Sequence, residues 1–334
     1  MLLGKQTWIF QNKPVIISTA TTGGPFEAEG PLRNDFDRLF DDGWLEESSF
    51  EKAQQRLMEE AAEIAIQKSP IDKENVDFFI SGDLINQITP STFSAKTLEL
   101  PYLGIFSACA TSAEGLALSA ALINGGFAEY ILSGTASHHA ATEKQFRFPN
   151  DYGAQKPPTA QWTVTGAGCV LLAKSGNGPK ITSATIGKVV DMGLTDPFNM
   201  GGAMAPAAAD TIESHLQDRN IDISYYDVIL TGDLGKVGRE TSFDLLKRHG
   251  INVKDQQYID SGMTIYSSEQ PVHSGASGTA CSAIVTYGHF LNRMMKGEFK
   301  RILMVATGSL HSPLSVQQKN SIPCIAHAVS IEME

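Results

Sequence analysis

Short apolar runs of strand type alternate along this chain with longer segments in which apolar residues recur at helical spacing. Val15 to Ser18 reads as a buried strand that ends at the turn signal Thr22-Gly23-Gly24-Pro25. From Ser49 to Lys68, Leu57, Ala61, Ile64 and Ala65 form one stripe, Ser49 is placed to cap the helix, and Pro70 stops it. Asp77 to Asp83 is the next strand, opening into a loop at Gly82. A helix from Thr92 to Leu98 and a strand from Leu103 to Phe106 follow. Ser107 to Gly115 then opens a helix of small residues that reaches Asn124, with Gly125-Gly126 as its left-handed cap, and Tyr130 to Ser133 is again a strand. Strands separated by helices predict crossover units around a buried, mostly parallel or mixed sheet.

The pattern then returns. Asp77 to Leu84 reappears as Asp227 to Leu234, and Ser107-Ala108-Cys109-Ala110 loosely as Thr279-Ala280-Cys281-Ser282. Gly126-Phe127 leading to Tyr130 to Leu132 reappears as Gly297 to Phe299 leading to Ile302 to Met304. Pro14 to Ser18 matches Pro179 to Ser183. Any one pair could be chance, but four in the same order indicate a duplicated α/β unit. Unequal offsets place an insertion in the second copy around Asp244 to Ser268. The loop Lys174 to Pro179 marks the joint, giving halves of 1–175 and 176–334.

Composition narrows the function. Apolar residues are 42% of 334 and charged residues 19%, enough for a large core. A net charge of −11 without a basic run argues against nucleic acid. Cys109, Cys169, Cys281 and Cys324 are far apart and lack a CxxC pair, so neither zinc nor a disulfide framework is expected. No signal-peptide pattern and no spanning apolar stretch is read, and a soluble, most simply intracellular, protein is expected.

The duplication, the turn at Cys109 and the glycine-rich Val164 to Val170 resemble the thiolase-like superfamily, the last segment being similar to the glycine-rich strand of ketoacyl-synthase III enzymes. Gly4 to Trp8, Ser133 to Gln145, Ala203 to Thr211 and Gln317 to His327 resemble more closely the stage V sporulation protein AD family of Bacillus-type spore formers. The resemblance implies a five-layered α-β-α-β-α thiolase-like fold of two duplicated halves. It also implies binding of dipicolinic acid (pyridine-2,6-dicarboxylic acid), with calcium as a possible companion of the ligand. Further implications are a homodimer paired through the strand after the Cys109 helix, and a place in the sporulating cell and spore, peripheral on the spore inner membrane. There it would act through membrane-embedded proteins of the same operon in moving the acid into the developing spore.

In enzymes of this fold the Cys109 position accepts the acyl group, and a helix N-terminus favours such a thiolate. Without the resemblance, a small buried Cys before a helix is the competing reading. Cys281 and Cys169 are expected in the core. A condensing enzyme also needs a His and an Asn or second His on loops of the second half. The loop Leu230 to Gly235 has no His, and the Asn position falls at Ala276, three residues after His273. His273 is therefore either a surface residue or, if that alignment slips, a pocket residue. The missing pair points to binding rather than catalysis; an acyltransferase using Cys109 is the alternative. Asp83, at a strand end in the half that carries Cys109, ranks above its twin Asp233 as a ligand residue, with a helix cap as the competing role. Gly308 and Ser309, in a stretch similar to the hairpin that donates to the oxyanion hole, complete the expected set. His138-His139 is not read as a metal site, and Arg147 is either a carboxylate partner at the mouth or simply solvated.

Overall fold

The computed structural model describes residues 1–146 and 156–333. The first half supplies β1 (Val15–Gly23), β2 (Phe78–Gly82), β3 (Tyr102–Gly104), β4 (Tyr130–Ser137) and β5 (Gly166–Ala173). The second supplies β6 (Lys180–Thr185), β7 (Val228–Thr231), β8 (Tyr258–Asp260), β9 (Arg301–Ser309) and β10 (Cys324–Glu332). The path across them is β3-β2-β4-β5-β1-β6-β10-β9-β7-β8. From either outer edge inward the order of corresponding strands is the same. β2 is parallel to β3 and β4, and β5 antiparallel to β4 and β1. Likewise β7 is parallel to β8 and β9, and β10 antiparallel to β9 and β6. β1 and β6 meet at one register, Lys180 opposite Val15.

The helices make the layers. α1 (Phe50–Gln67), capped by the Ser49 hydroxyl on the Lys52 amide, covers β1, β4 and β5, and α2 (Thr89–Leu98) packs beside it over β2 and β3. α5 (Met200–Arg219) and α6 (Gly235–Arg248) cover the other outer face. α3 (Thr111–Asn124) and α7 (Thr279–Ile284) pack on each other in the middle, α3 touching strands of both halves. A largely enclosed helix has little polar face, and α3 is built mostly of Ala, Gly, Ser and Leu accordingly, Glu114 being its one charged residue. Gly115 lets it press on the sheet: a Cβ there would come within 2.4 Å of the Ser133 hydroxyl. Three apolar clusters fill the spaces between layers, one central and one beneath each outer helix layer.

Two expectations change. β1 runs through the supposed turn to Gly23, because Thr22 and Gly23 pair with Ala167 and Gly166; the chain turns only at Gly24-Pro25. The strand after the Cys109 helix is β4, which lies between β2 and β5 and offers no edge. The open edge of the first half is β3, the strand before that helix, with Leu103 43% exposed.

Candidate ligand-binding site at Cys109

Between β3 and α3 the chain makes a tight turn that presents Cys109. Ala108 takes a left-handed φ of 49°, unusual for a residue with a Cβ. The turn is held by the Ala110 amide on the Ser107 carbonyl at 3.0 Å and the Thr111 hydroxyl on the Ala108 carbonyl at 2.6 Å. A second support comes from β10. His327 Nδ1 accepts from the Gly187 amide at 3.2 Å, so its proton resides on Nε2 and is donated to the Ser107 hydroxyl at 3.1 Å. Burial lowers the His327 pKa to about 4, which keeps that ring neutral. Gly308 on β9 lies directly against the turn, where a Cβ would approach the Ser107 carbonyl oxygen to 2.2 Å.

Cys109 forms the floor of a cavity of about 350 Å³, at the small end of the usual range for ligand pockets. Gln161, Thr163, Ser277 and Ser309 supply polar wall; Phe106, Phe198, Met200 and Met204 supply apolar wall. α4 (His139–Phe146) adds Thr142, Glu143, Gln145 and Phe146, and His311 stands beside Ser309, whose hydroxyl meets His311 Nδ1 at 2.7 Å. Among the described residues, no Lys or Arg lines this cavity. Arg147 lies outside the described residues.

Asp233 is the charged group at the thiol. It is buried just after β7, and its carboxylate accepts from the Ser277 hydroxyl at 2.9 Å, the Gly278 amide at 3.1 Å and the Thr307 hydroxyl at 2.9 Å. Ser277 Oγ stands 4.0 Å from Cys109 Sγ. Burial, and then the charge and hydrogen bonding of Asp233, push the Cys109 thiol well above its ordinary range. Burial raises Asp233 too, against the hydrogen bonds it accepts from Cys109, Ser277, Thr307 and the Gly278 amide.

Of the four expected ligand residues, Cys109 and Ser309 line the cavity, and Gly308 sits behind them against the turn. Asp83 does not line it. Its carboxylate accepts from the Ile85 amide at 2.8 Å and from the Ser91 amide at 2.9 Å and hydroxyl, the work of a cap, and burial raises it to about 6. Leu84, its neighbour, reaches the wall instead. Of the twins, it is Asp233 of the second half that stands at Cys109. His273 is exposed at a left-handed turn. Ala276 pairs with Trp162 in a two-residue parallel bridge, and the alternation of side chains turns the next residue, Ser277, to the thiol. His138 Nε2 donates to the Gly43 carbonyl at 2.7 Å, since its Nδ1 accepts from the Ala140 amide. His139 stacks on Trp162 at 3.8 Å. Among the described residues no group of three or more His, Cys, Asp or Glu could hold a metal, and all four cysteines are free. Sequence reasoning missed Gln161, Ser277 and the role of Asp233; only Asp233 carried a signal, its place in the repeat.

The architecture and the sequence point to the same relatives. Over 96% of this chain and all of the other, the fold matches 3-oxoacyl-[acyl-carrier-protein] synthase III of Aquifex aeolicus (TM-score 0.61, 13% identity). Human mitochondrial 3-ketoacyl-CoA thiolase, in complex with CoA, matches over 97% of this chain and 98% of its own (TM-score 0.60, 12% identity). The fold is therefore thiolase-like. The stage V sporulation protein AD of Bacillus subtilis is 47% identical over 331 residues, 99% of this chain and 98% of the relative. The model of that family matches residues 4–332, and this chain belongs to the stage V sporulation protein AD (SpoVAD) family.

Proposed function

We propose that this chain is a non-catalytic binding protein for dipicolinic acid, which it holds in the cavity above Cys109 as part of the machinery moving that acid into the developing spore. The observation that carries the non-catalytic reading is the state of the thiol. A nucleophilic Cys needs a base or a cation that favours the thiolate; Cys109 is 7% exposed, and its polar neighbours among the described residues are the Ser277 hydroxyl, the Gly278 amide and the Asp233 carboxylate, the last of which opposes a thiolate. The ligand assignment rests on family membership, and the cavity's size and the Thr163 and Ser309 hydroxyls in its wall suit a small aromatic diacid. Those two hydroxyls are the donors offered to a carboxylate, since the Ala110, Thr111, Ala113 and Glu114 amides at the start of α3 are bonded within the turn. Asp83 would act on binding only through the loop it caps. A resident calcium does not fit these residues: among the described residues the one carboxylate lining the cavity, Glu143, is paired with Lys156 at 3.1 Å. Calcium would enter only as cargo with the acid.

The same reading extends to a homodimer closed along β3 and to attachment at the spore inner membrane through membrane-embedded partners. Among the described residues no helix is long and apolar enough to cross a membrane. The alternative, an acyltransferase using Cys109, draws on one feature: the left-handed Ala108 before a helix N-terminus is a geometry suited to presenting a nucleophile. Equilibrium binding of the free diacid, beside intact-mass measurement after exposure to acyl-CoA, separates the two. Saturable binding without acylation is expected. Acylation of Cys109 with turnover, and no binding of the diacid at millimolar concentration, would overturn the proposal.

A further inference from the structure

Cys109 meets an arrangement with a direction. Asp233 accepts the Ser277 hydroxyl proton at 2.9 Å, so that hydroxyl has only lone pairs left for the sulfur 4.0 Å away. The carboxylate is itself immobile. Thr307 Oγ1 and the Gly278 amide bind it, the Asp233 amide is bound to Thr307 Oγ1 at 3.2 Å, and its carbonyl accepts from Gln161 Nε2 at 2.6 Å. A thiol can donate into such a site; a thiolate would face a lone pair backed by a negative charge.

We infer that Asp233, whose carboxylate stands at Cys109 behind the Ser277 hydroxyl, is a positioning group that locks Cys109 as an uncharged thiol and silences it as a nucleophile. The inference deepens the non-catalytic reading and rests on it only for its purpose, since the lock is a property of the protein without ligand. The Gly278 amide and, where its proton turns to the sulfur, the Ser277 hydroxyl act the other way, as donors that favour a thiolate, but burial and Asp233 outweigh them. Asp260, at the end of β8, holds the Leu234 and Gly235 amides at 3.0 and 2.9 Å and adds negative charge when ionised. Cys281 on α7 is buried beside both aspartates and its thiol is raised as well. His311, across the cavity, is lowered by burial and brings no positive charge.

The test is the pH profile of Cys109 alkylation by iodoacetamide in the full chain, without diacid, read by peptide mass so that Cys169, Cys281 and Cys324 are scored separately. Ultraviolet thiolate absorbance is recorded over the same range as a readout that needs no reagent access. The native chain is expected to show no Cys109 thiolate up to about pH 9, beyond the midpoint of an ordinary thiol. Asp233→Asn keeps the shape and removes the charge; alkylation at about pH 8 should rise by roughly tenfold or more, with the profile moved to lower pH. Ser277→Ala leaves the charge and should stay slow. A folded Asp233→Asn chain with the native profile overturns the lock. So does a native chain whose thiol titrates at or below the ordinary value, a result that stands even if the variant fails to fold. A chain that keeps the shifted profiles but binds no dipicolinic acid loses the ligand assignment and keeps the lock.

Discussion

Glu27 offers a sharp check on whether burial in this fold is as complete as the geometry says. It lies in the single helical turn after β1, 1% exposed. One carboxylate oxygen accepts from the Thr165 amide at 3.0 Å and from the Tyr266 hydroxyl. The other has no hydrogen-bond partner among the described residues, and a Cβ on Gly24 would lie 3.0 Å from it. Tyr266 comes from the inserted segment of the second half, and Gln270, just after that segment, donates to the Phe26 carbonyl at 2.8 Å, so the contact joins the two halves. Burial, only partly offset by those donors, raises Glu27 from its ordinary 4.5 to about 7.

The folded chain therefore holds this proton more tightly than the unfolded one. The stabilisation is whole below about pH 4.5 and disappears as pH rises through about 7, and at roughly 1.4 kcal/mol per unit it amounts to about 3 kcal/mol. Glu27→Gln keeps the acceptor for Thr165 and Tyr266 and cannot ionise. Whatever constant gap separates the two proteins near pH 4.5, it should move by about 3 kcal/mol in favour of the variant by about pH 8. Asp83 and Asp260 are also raised by burial but are common to both proteins and cancel. Urea unfolding followed by tryptophan fluorescence and by circular dichroism supplies the measurement, coincident transitions being required before the two-state treatment is applied. A gap that does not vary with pH would refute the reasoning, because it would mean that water or a counter-charge reaches Glu27.

Two further outcomes are expected. Leu103→Asp at the open edge of β3 should convert a dimer to a monomer in light scattering at tens of micromolar while leaving circular dichroism unchanged, since a charge on an edge strand opposes pairing with another chain; a dimer that persists removes β3 as the interface. Purified chain should stay in solution when mixed with anionic vesicles at physiological salt, as attachment is proposed to run through membrane-embedded proteins; strong flotation with bare vesicles would contradict that route.

The duplication was legible in the sequence, as were Cys109, Gly308 and Ser309, but the group that faces the thiol was not, for one physical reason. Asp77 and Asp227 stand in matching places in the two copies and do the same work: one accepts from the Glu129 and Tyr130 amides, the other from the Lys300 and Arg301 amides. Both bonds stay within a half, where sequence order dictates neighbours. Asp83 and Asp233 are equally good twins on paper, yet Asp83 spends its oxygens on Ile85 and Ser91 of its own half, while Asp233 stands where the loops of the second half close over a helix of the first. Which twin faces Cys109 depends on how the two copies pack, and a local pattern carries no record of that packing. The shift from Ala276 to Ser277 has the same origin, because one step along a strand reverses the face, and the step is set by pairing with Trp162 and Thr163, more than a hundred residues earlier. In a fold built from two copies, repeats therefore identify the framework, and the chemistry lies where the copies stop being equivalent. Asp233, Ser277 and Cys109 meet at such a place.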